Sequence, residues 1–366
     1  MRPHLVFTVI NDLHYDQRMQ RICTSLSHAG YRVTLIGRVL EQHKPLPLQN
    51  FEQIRVKMPI NKGKLFYLLY NCYLFWHLLT HRYDVYGATD LDTALPQFLV
   101  AKMKGKPFVY DAHEYFTELP EIVSRSLVKK IWKWIEKLVV PRTQYAYTIN
   151  QSYADFFKKE YGVRFEIIRN IALLRSDVYP EPAAEKFILY QGAVNVGRGV
   201  EEMIKAMPLI PNCKLVICGK GDVYEHCQQL VAQLGLTQVV QFRGFVPPDE
   251  LRSITRQATL GFTFFSAQGQ SYYYSLANRF FDYLHAGIPQ LCINFPEYQR
   301  INEQYHIAQP VPNLEPQTIA NAANQLLNNA QLYAQIQKNC LHARTELCWQ
   351  NEEKKLLAFY QHLVSG

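Results

Sequence analysis

Short runs of β-branched and aromatic residues alternate along the chain with helix-length amphipathic stretches. In the first half the runs predict strands at 5–10, 33–37, 85–88, 108–110, 145–149 and 166–168. Helical periodicity fills the stretches 17–29, 65–81, 94–104 and 129–140. The segment 176–186, SDVYPEPAAEK, is polar, Pro-containing and without a strand pattern, and it reads as a linker. The alternation then restarts, with strands at 187–191, 214–218, 239–242, 260–264 and 290–293. Helices are expected near 199–207, 223–235 and 278–285, then at 316–329, 330–348 and 350–364. Strands alternating with helices are the mark of βαβ units and parallel sheets. The expected organisation is a Rossmann-like domain over 1–175, the linker 176–186, a second such domain over 187–348, and a last helix over 349–366 that packs back on the first.

The 366 residues are enough for two packed cores, and 48% hydrophobic residues mark a globular protein. Charge is unevenly shared. Residues 1–170 hold 24 Lys and Arg against 15 Asp and Glu, whereas the rest holds 15 against 16. Eight cysteines without metal-type spacing predict buried free thiols in a reducing compartment. The uncharged run 65–80, LFYLLYNCYLFWHLLT, is too short to span a bilayer and reads as a buried helix of the first domain in preference to an interfacial helix. Over 126–142, Lys129, Lys130, Lys133 and Lys137 mingle with Trp132 and Trp134. That mixture suits either an anionic membrane surface or a solvated helix face.

The first strand is followed by NDLHYDQRMQR, without the glycines of a dinucleotide fingerprint, and there is no Walker A, G-x-S-x-G or H-E-x-x-H pattern. Two other stretches carry chemistry. In SYYYSLANRFFDYLHAGIP (271–289), Ser275 and Asn278 are candidate caps of a helix whose N-terminus suits a phosphate. Arg279 would strengthen that site, and Asp282, one turn on, would reach a ribose diol. After the strand ILYQG, a loop with Gly192, Gly197 and Gly199 carries Arg198 at the mouth of the next helix. Glycines and an Arg at a strand-to-helix junction suit a diphosphate. The pair Gly219 and Gly221 by itself marks only a strand-to-helix turn.

These residues resemble the retaining glycosyltransferases of family 4, which have the GT-B fold of two facing Rossmann-like domains. The resemblance rests on the order Y-Q-G…R-G-V-E-E-M-I-K-A-M (190–207), L-V-I-C-G-K-G-D (215–222), V-Q-F-R-G-F-V-P (240–247) and S-L-A-N-R-F-F-D-Y-L-H-A-G-I-P. In the first half it rests on N-D…D-Q-R-M, D-L-D-T (90–93) and Y-D-A-H-E-Y-F-T-E-L-P-E (110–121). It implies that Arg198 and Arg279 hold the donor diphosphate, beside Gly192, Gly197, Gly219, Ser275 and Asn278. Asp282 takes the second acidic position of the family's E-x7-E element and would bind the ribose. Backbone groups at Phe245 and Val246 would receive the base, and His113 would face the transferred sugar, orienting it or relaying a proton. Glu114 and Glu118 are acceptor-side candidates, while Asp90 and Asp92 read as caps of the D-L-D-T turn. The family's first acidic position falls at Tyr274, its S-x-P-x-K run carries Ala277 and Arg279, and the first Arg of its diphosphate loop falls at Ala193.

The implied activity is transfer of a hexose-type sugar from a nucleotide diphosphate to an acceptor hydroxyl with retention, without metal or cofactor. The implied setting is cell-surface polysaccharide or glycolipid synthesis in the cytoplasm, at the inner face of the membrane. The partners would be the nucleotide-sugar, a lipid-linked or saccharide acceptor and an anionic membrane surface. No nucleic-acid motif is present. The alternatives on this architecture are a non-catalytic nucleotide-sugar-binding or scaffold protein and a nucleotide-sugar 2-epimerase.

Overall fold

The computed structural model describes all residues except Met1, Tyr15, 41–44, Ser176, Asp177, Pro182, Gly366 and the side chain of Glu121. The chain divides into two compact units, Met1–Asn170 with Glu352–Gly366, and Ile171–Asn351. The first unit holds β1 (His4–Asp12), α1 (Gln17–His28), β2 (Arg32–Arg38), β3 (Glu52–Val56), α2 (Gly63–Thr80), β4 (Val85–Thr89) and α3 (Ala94–Lys104). It continues with β5 (Phe108–Ala112), α4 (Pro120–Val123), α5 (Ser126–Val139), β6 (Tyr145–Thr148), α6 (Gln151–Tyr161) and β7 (Glu166–Ile167). These strands form one parallel sheet in the order β3-β2-β1-β4-β5-β6-β7.

The second unit runs β8 (Phe187–Gln191), α7 (Val200–Ala206), β9 (Lys214–Cys218), α8 (Tyr224–Gln233), β10 (Val240–Gly244), α9 (Pro248–Gln257) and β11 (Leu260–Thr263). Then come α10 (Gln270–Tyr273), α11 (Asn278–Ala286), β12 (Gln290–Ile293), α12 (Pro296–Tyr305), β13 (Ala308–Val311), α13 (Pro316–Asn328) and α14 (Ala330–Ala343). Its parallel sheet has the order β10-β9-β8-β11-β12-β13. A last helix, α15 (Trp349–Ser365), starts in this unit and ends in the first.

Central strands covered on both faces are largely apolar, and β4, β5, β11 and β12 are buried at every position, Asp111 of β5 and Gln290 of β12 included. Local chemistry sets several helix ends. The Asp16 and Asn150 side chains accept from Met19 N and Tyr153 N to start α1 and α6, and Gly105 and Gly162 end α3 and α6 in the left-handed conformation. Of the expected linker, Ser176, Asp177 and Pro182 lie outside the described residues. The Glu181 and Ala183 amides donate to the carbonyls of Arg256 and Gln257, which ties that stretch to α9.

Two expectations about surface segments change. The uncharged run forms α2 but is not buried all round: only Phe66, Tyr70, Leu74 and Leu78 are buried, a single stripe. In α5, Lys129 pairs with Glu118 at 2.6 Å, and Lys133 pairs with Glu136 and Glu160, both at 2.7 Å. Half of that helix's lysine charge is therefore neutralised within the unit, which weakens the reading of α5 as a basic membrane face. Among the described residues no helix is long and apolar enough to cross a membrane.

Candidate active site

In the second unit β8 is central, with β9 on one side and β11 on the other. Strand order reverses there, and ligands of open α/β sheets bind outside the carboxyl ends of the strands at such a point. Three loops meet at that position. Gly192 N donates to Cys218 O, Val194 N to Lys220 O and Ser266 N to Gly197 O, joining the loops after β8, β9 and β11. The contacts leave no room for a side chain. A Cβ on Gly219 would overlap the Gly192 carbonyl oxygen, and one on Gly199, at φ +71°, would overlap Phe264. What reads in sequence as an ordinary turn at 219–221 is thus a close approach of two backbones.

Two cations line the spot. The Arg198 guanidinium lies 4.9 Å from the Phe265 ring centroid and 5.0 Å from that of Tyr272. Arg279, in the first turn of α11, is buried, lies 4.9 Å from Tyr190 and 4.9 Å from Phe265, and donates to Phe264 O at 3.2 Å. Its Nε is buried without a hydrogen-bond partner among the described residues. Both guanidiniums therefore stack on one ring, held ready by apolar packing. Asp282, one turn on, accepts from Gln191 Nε2 at 2.8 Å, and Gln191 Oε1 accepts from Thr255 at 2.8 Å, which fixes the carboxylate's direction.

The expected capping is corrected. Ala277 is the cap residue of α11, with no side-chain cap; Asn278 lies inside the helix, and the Ser275 hydroxyl donates to Tyr272 O. The first N–H groups of α11 thus have no capping side chain to compete with a phosphate. Gly192 and Gly197 lie in the joined loops. After β10, the Phe245 side chain is exposed, whereas Val246 points into the core. Tyr274 is half-buried and meets Tyr273 edge-on. Ala193 O accepts from the Tyr190 hydroxyl.

In the first unit the centre is His113, one residue beyond β5. Its Nδ1 lies 2.9 Å from Asp90 Oδ2, and Asp90 Oδ1 accepts from the amides of His113 and Glu114. Asp90 is therefore the partner of His113, not a cap of the D-L-D-T turn. It adopts φ +57°, a strained value that Asp tolerates better than most residues, and such strain collects at functional sites. Burial by itself pulls the imidazole pKa down. The charge and hydrogen bond of Asp90 outweigh that and raise it to about 10, so the ring is a cation at neutral pH. Behind it, buried Arg18 grips Asp111 with Nε at 3.0 Å and Nη2 at 2.8 Å, and donates to Ile168 O at 3.1 Å. The Asp111 carbonyl in turn accepts from Asp90 N. The Glu114 side chain is exposed, while Glu118 is taken up by Lys129.

Residues 17–171 match the sequence family described as Glycosyltransferase Family 4, and residues 175–342 match that of Glycosyl transferases group 1. The chain belongs to glycosyltransferase family 4. That family's enzymes are retaining glycosyltransferases, the class the motifs implied. Among curated relatives, an uncharacterized glycosyltransferase of Methanocaldococcus jannaschii is 42% identical over 77 residues, 20% of each chain. The alpha-D-kanosaminyltransferase of Streptomyces kanamyceticus is 22% identical over 178 residues, 43% of this chain and 46% of that one. The matches thus span a fifth and under half of those relatives. Solved structures share the fold over the full length. Sucrose-phosphate synthase of Thermosynechococcus elongatus gives a TM-score of 0.85 at 16% identity, covering 100% of both chains. Anabaena HepE in complex with UDP-glucose gives 0.78 at 14%, over 99% of this chain and 100% of that one. WaaG, a glycosyltransferase involved in lipopolysaccharide biosynthesis, gives 0.73 at 16%, over 96% and 98%. The two parallel α/β units are the GT-B fold, as expected.

Proposed function

We propose that this family 4 member moves a sugar from a nucleotide diphosphate to an acceptor hydroxyl with retention, in cell-surface polysaccharide or glycolipid synthesis at the cytoplasmic face of the membrane. The second unit is the donor side and the first the acceptor side. One observation carries the reading: Arg198 and Arg279 converge on Phe265, beside the uncapped start of α11, where β8 and β11 part. A leaving nucleotide diphosphate gains negative charge as the glycosidic bond breaks, and fixed cations and N–H dipoles stabilise it without reorganising. Asp282, aimed by Gln191, would hold the ribose, and backbone groups at Phe245 and Val246 would take the base. The HepE complex supports a nucleotide-sugar as donor class, and WaaG supports a surface-glycan role.

His113 serves as a hydrogen-bond donor. With Nδ1 held by Asp90, the imidazolium offers Nε2–H to an oxygen of the transferred sugar, and being already protonated it does not relay the acceptor's proton. Glu114, exposed beside that pair, is the acceptor-side carboxylate, while Glu118 is committed to Lys129.

The test is a thermal-shift panel with UDP and GDP, followed by transfer of radiolabel from nucleotide-sugars to membrane extracts. One nucleotide should raise the melting temperature. Arg198→Ala and Arg279→Ala should each weaken that nucleotide's binding about 10- to 100-fold, the cost of a lost charged hydrogen bond. A chain that no nucleotide stabilises, or an Arg198→Ala variant that binds and transfers as before, refutes the proposal.

A further inference from the structure

The first unit contains a groove of about 1020 Å³ between α2 and α5. Its walls include Phe66, Tyr67 and Leu68 of α2 and Leu127, Ile131 and Trp132 of α5. Trp132 meets Tyr67 edge-on at 5.5 Å across it. The volume is at the upper end for small-molecule sites, and the lining is that of an apolar ligand.

One end is different in kind. Both helices begin there, with Lys62 and Arg125 as cap residues and no side-chain cap on either. Lys64 and Arg38 complete the rim. Helix N-termini are already electropositive, so a basic residue at each adds to the field instead of cancelling it. None of the four cations has an ion pair among the described residues, in contrast to Lys129 and Lys133, and no described carboxylate lines the groove. Arg38 lies over the Phe66 ring at 4.5 Å, and its Nε is buried without a hydrogen-bond partner among the described residues. The nearby Asp92 is a poor counter-charge to it, because burial pushes that carboxyl well above its usual range.

The same two helices also expose apolar side chains. Leu68 and Trp76 on α2 are 60% and 64% exposed, and Leu127 and Trp134 on α5 are 62% and 60% exposed. Apolar stripes on two neighbouring helices, with unpaired cations at one end, match the interfacial layer of a membrane, where an apolar body meets anionic headgroups.

We propose that this groove holds the chain of a single-chain lipid phosphate, with the phosphate at the cationic end formed by Arg38, Lys62, Lys64 and Arg125. Resting on the transferase reading, this makes the acceptor a hydroxyl-bearing group carried on a lipid phosphate whose chain is partly withdrawn from the bilayer. One continuous groove takes one chain, which favours such a lipid over a diacyl phospholipid. Leu91, in the groove wall, directly follows Asp90, the residue that holds His113.

Calorimetric titration with farnesyl phosphate below its micelle concentration tests the proposal, with farnesol and inorganic phosphate as controls. Farnesyl phosphate should bind, and farnesol and inorganic phosphate should each bind at least tenfold more weakly. Leu68→Trp, which fills the groove from an exposed position, and the double variant Lys62→Gln with Lys64→Gln should each weaken farnesyl phosphate at least tenfold. Both should keep the nucleotide-induced melting shift of the parent protein. Absent binding, equal binding of farnesol, or affinity unchanged by both variants overturns the proposal. The nucleotide shift is read separately, so failure of the donor reading is visible apart from failure of the groove.

Discussion

Replacing Asp90 by Asn removes one charge while preserving shape, and Asn also tolerates the left-handed backbone found there. Asn Oδ1 still accepts from the amides of His113 and Glu114, and its NH₂ donates to an imidazole that is now neutral at Nδ1. Raising the ring from 6.5 to about 10 sets a ceiling of about 5 kcal/mol on what the pair contributes. The His113 side chain is 20% exposed, and solvent screening with relaxation brings the working figure to about 2 kcal/mol. The sign follows from linkage. A pKa raised by folding stabilises the native state fully below the unfolded value of 6.5, and that stability disappears as pH rises through about 10. Urea melts at pH 5.5, 7.5 and 9.5 should show Asp90→Asn destabilised by about 2 kcal/mol at the lowest pH, with the gap narrowing at 9.5. Histidine NMR titration should find the His113 pKa at or below 6.5 in the variant, since burial and Arg18 then outweigh the smaller upward pull of Asp111. A His113 pKa that stays near 10 in Asp90→Asn, or a stability gap that widens with pH, would refute this account.

Other outcomes follow from the same packing. Gly219→Ala places a methyl group on the Gly192 carbonyl and should cost at least about 2 kcal/mol in chemical denaturation, whereas Gly235→Ala, whose Cβ meets nothing within 4 Å, should cost about 1 kcal/mol. Arg18→Met leaves Asp111 buried and uncompensated, an expected loss of about 3–5 kcal/mol, and Arg18→Met combined with Asp111→Leu should recover most of it. In a native thiol titration only Cys72 should react quickly. The other seven cysteines are buried, and burial pushes thiols such as Cys292 and Cys340 up to about 12.

The sheets were legible in the sequence because strands covered on both faces, such as β4 and β12, are short, largely apolar runs between helix-length stretches. The elements that escaped are those with little to bury. β3, EQIRV, is an edge strand with one buried residue, and β13, AQPV, carries a proline that an edge position tolerates. α9 and α12 are polar helices with one and three buried residues, and α6, punctuated by Asn150 and Gly162, buries only Tyr153, Ala154 and Phe157. Arg198 was visible between two glycines at a strand-to-helix junction, and Arg279 in the first turn of an expected helix, both places where a cation is informative. Asp90 was not, because its partner lies 23 residues on and the parallel pairing of β4 with β5 brings the two together. The lysines of α5 misled for the same reason: Glu118 and Glu160, which neutralise them, lie outside the helix. The groove between α2 and α5 needed the fold, since neither helix alone reveals which of its apolar stripes is left uncovered.

The last helix adds a matter of timing. Glu352 accepts from the Arg169 amide and lies 3.3 Å from its guanidinium, and Tyr360 lies fully buried against Tyr147 and Phe7, strands that leave the ribosome hundreds of residues earlier. The first unit to be synthesised is therefore the last to be finished. Until the closing residues emerge, one wall of its core is missing, while Ile171–Asn351 has all it needs. A chain that stops a dozen residues short should still form a sound second unit, and its exposed apolar surface should belong to the first.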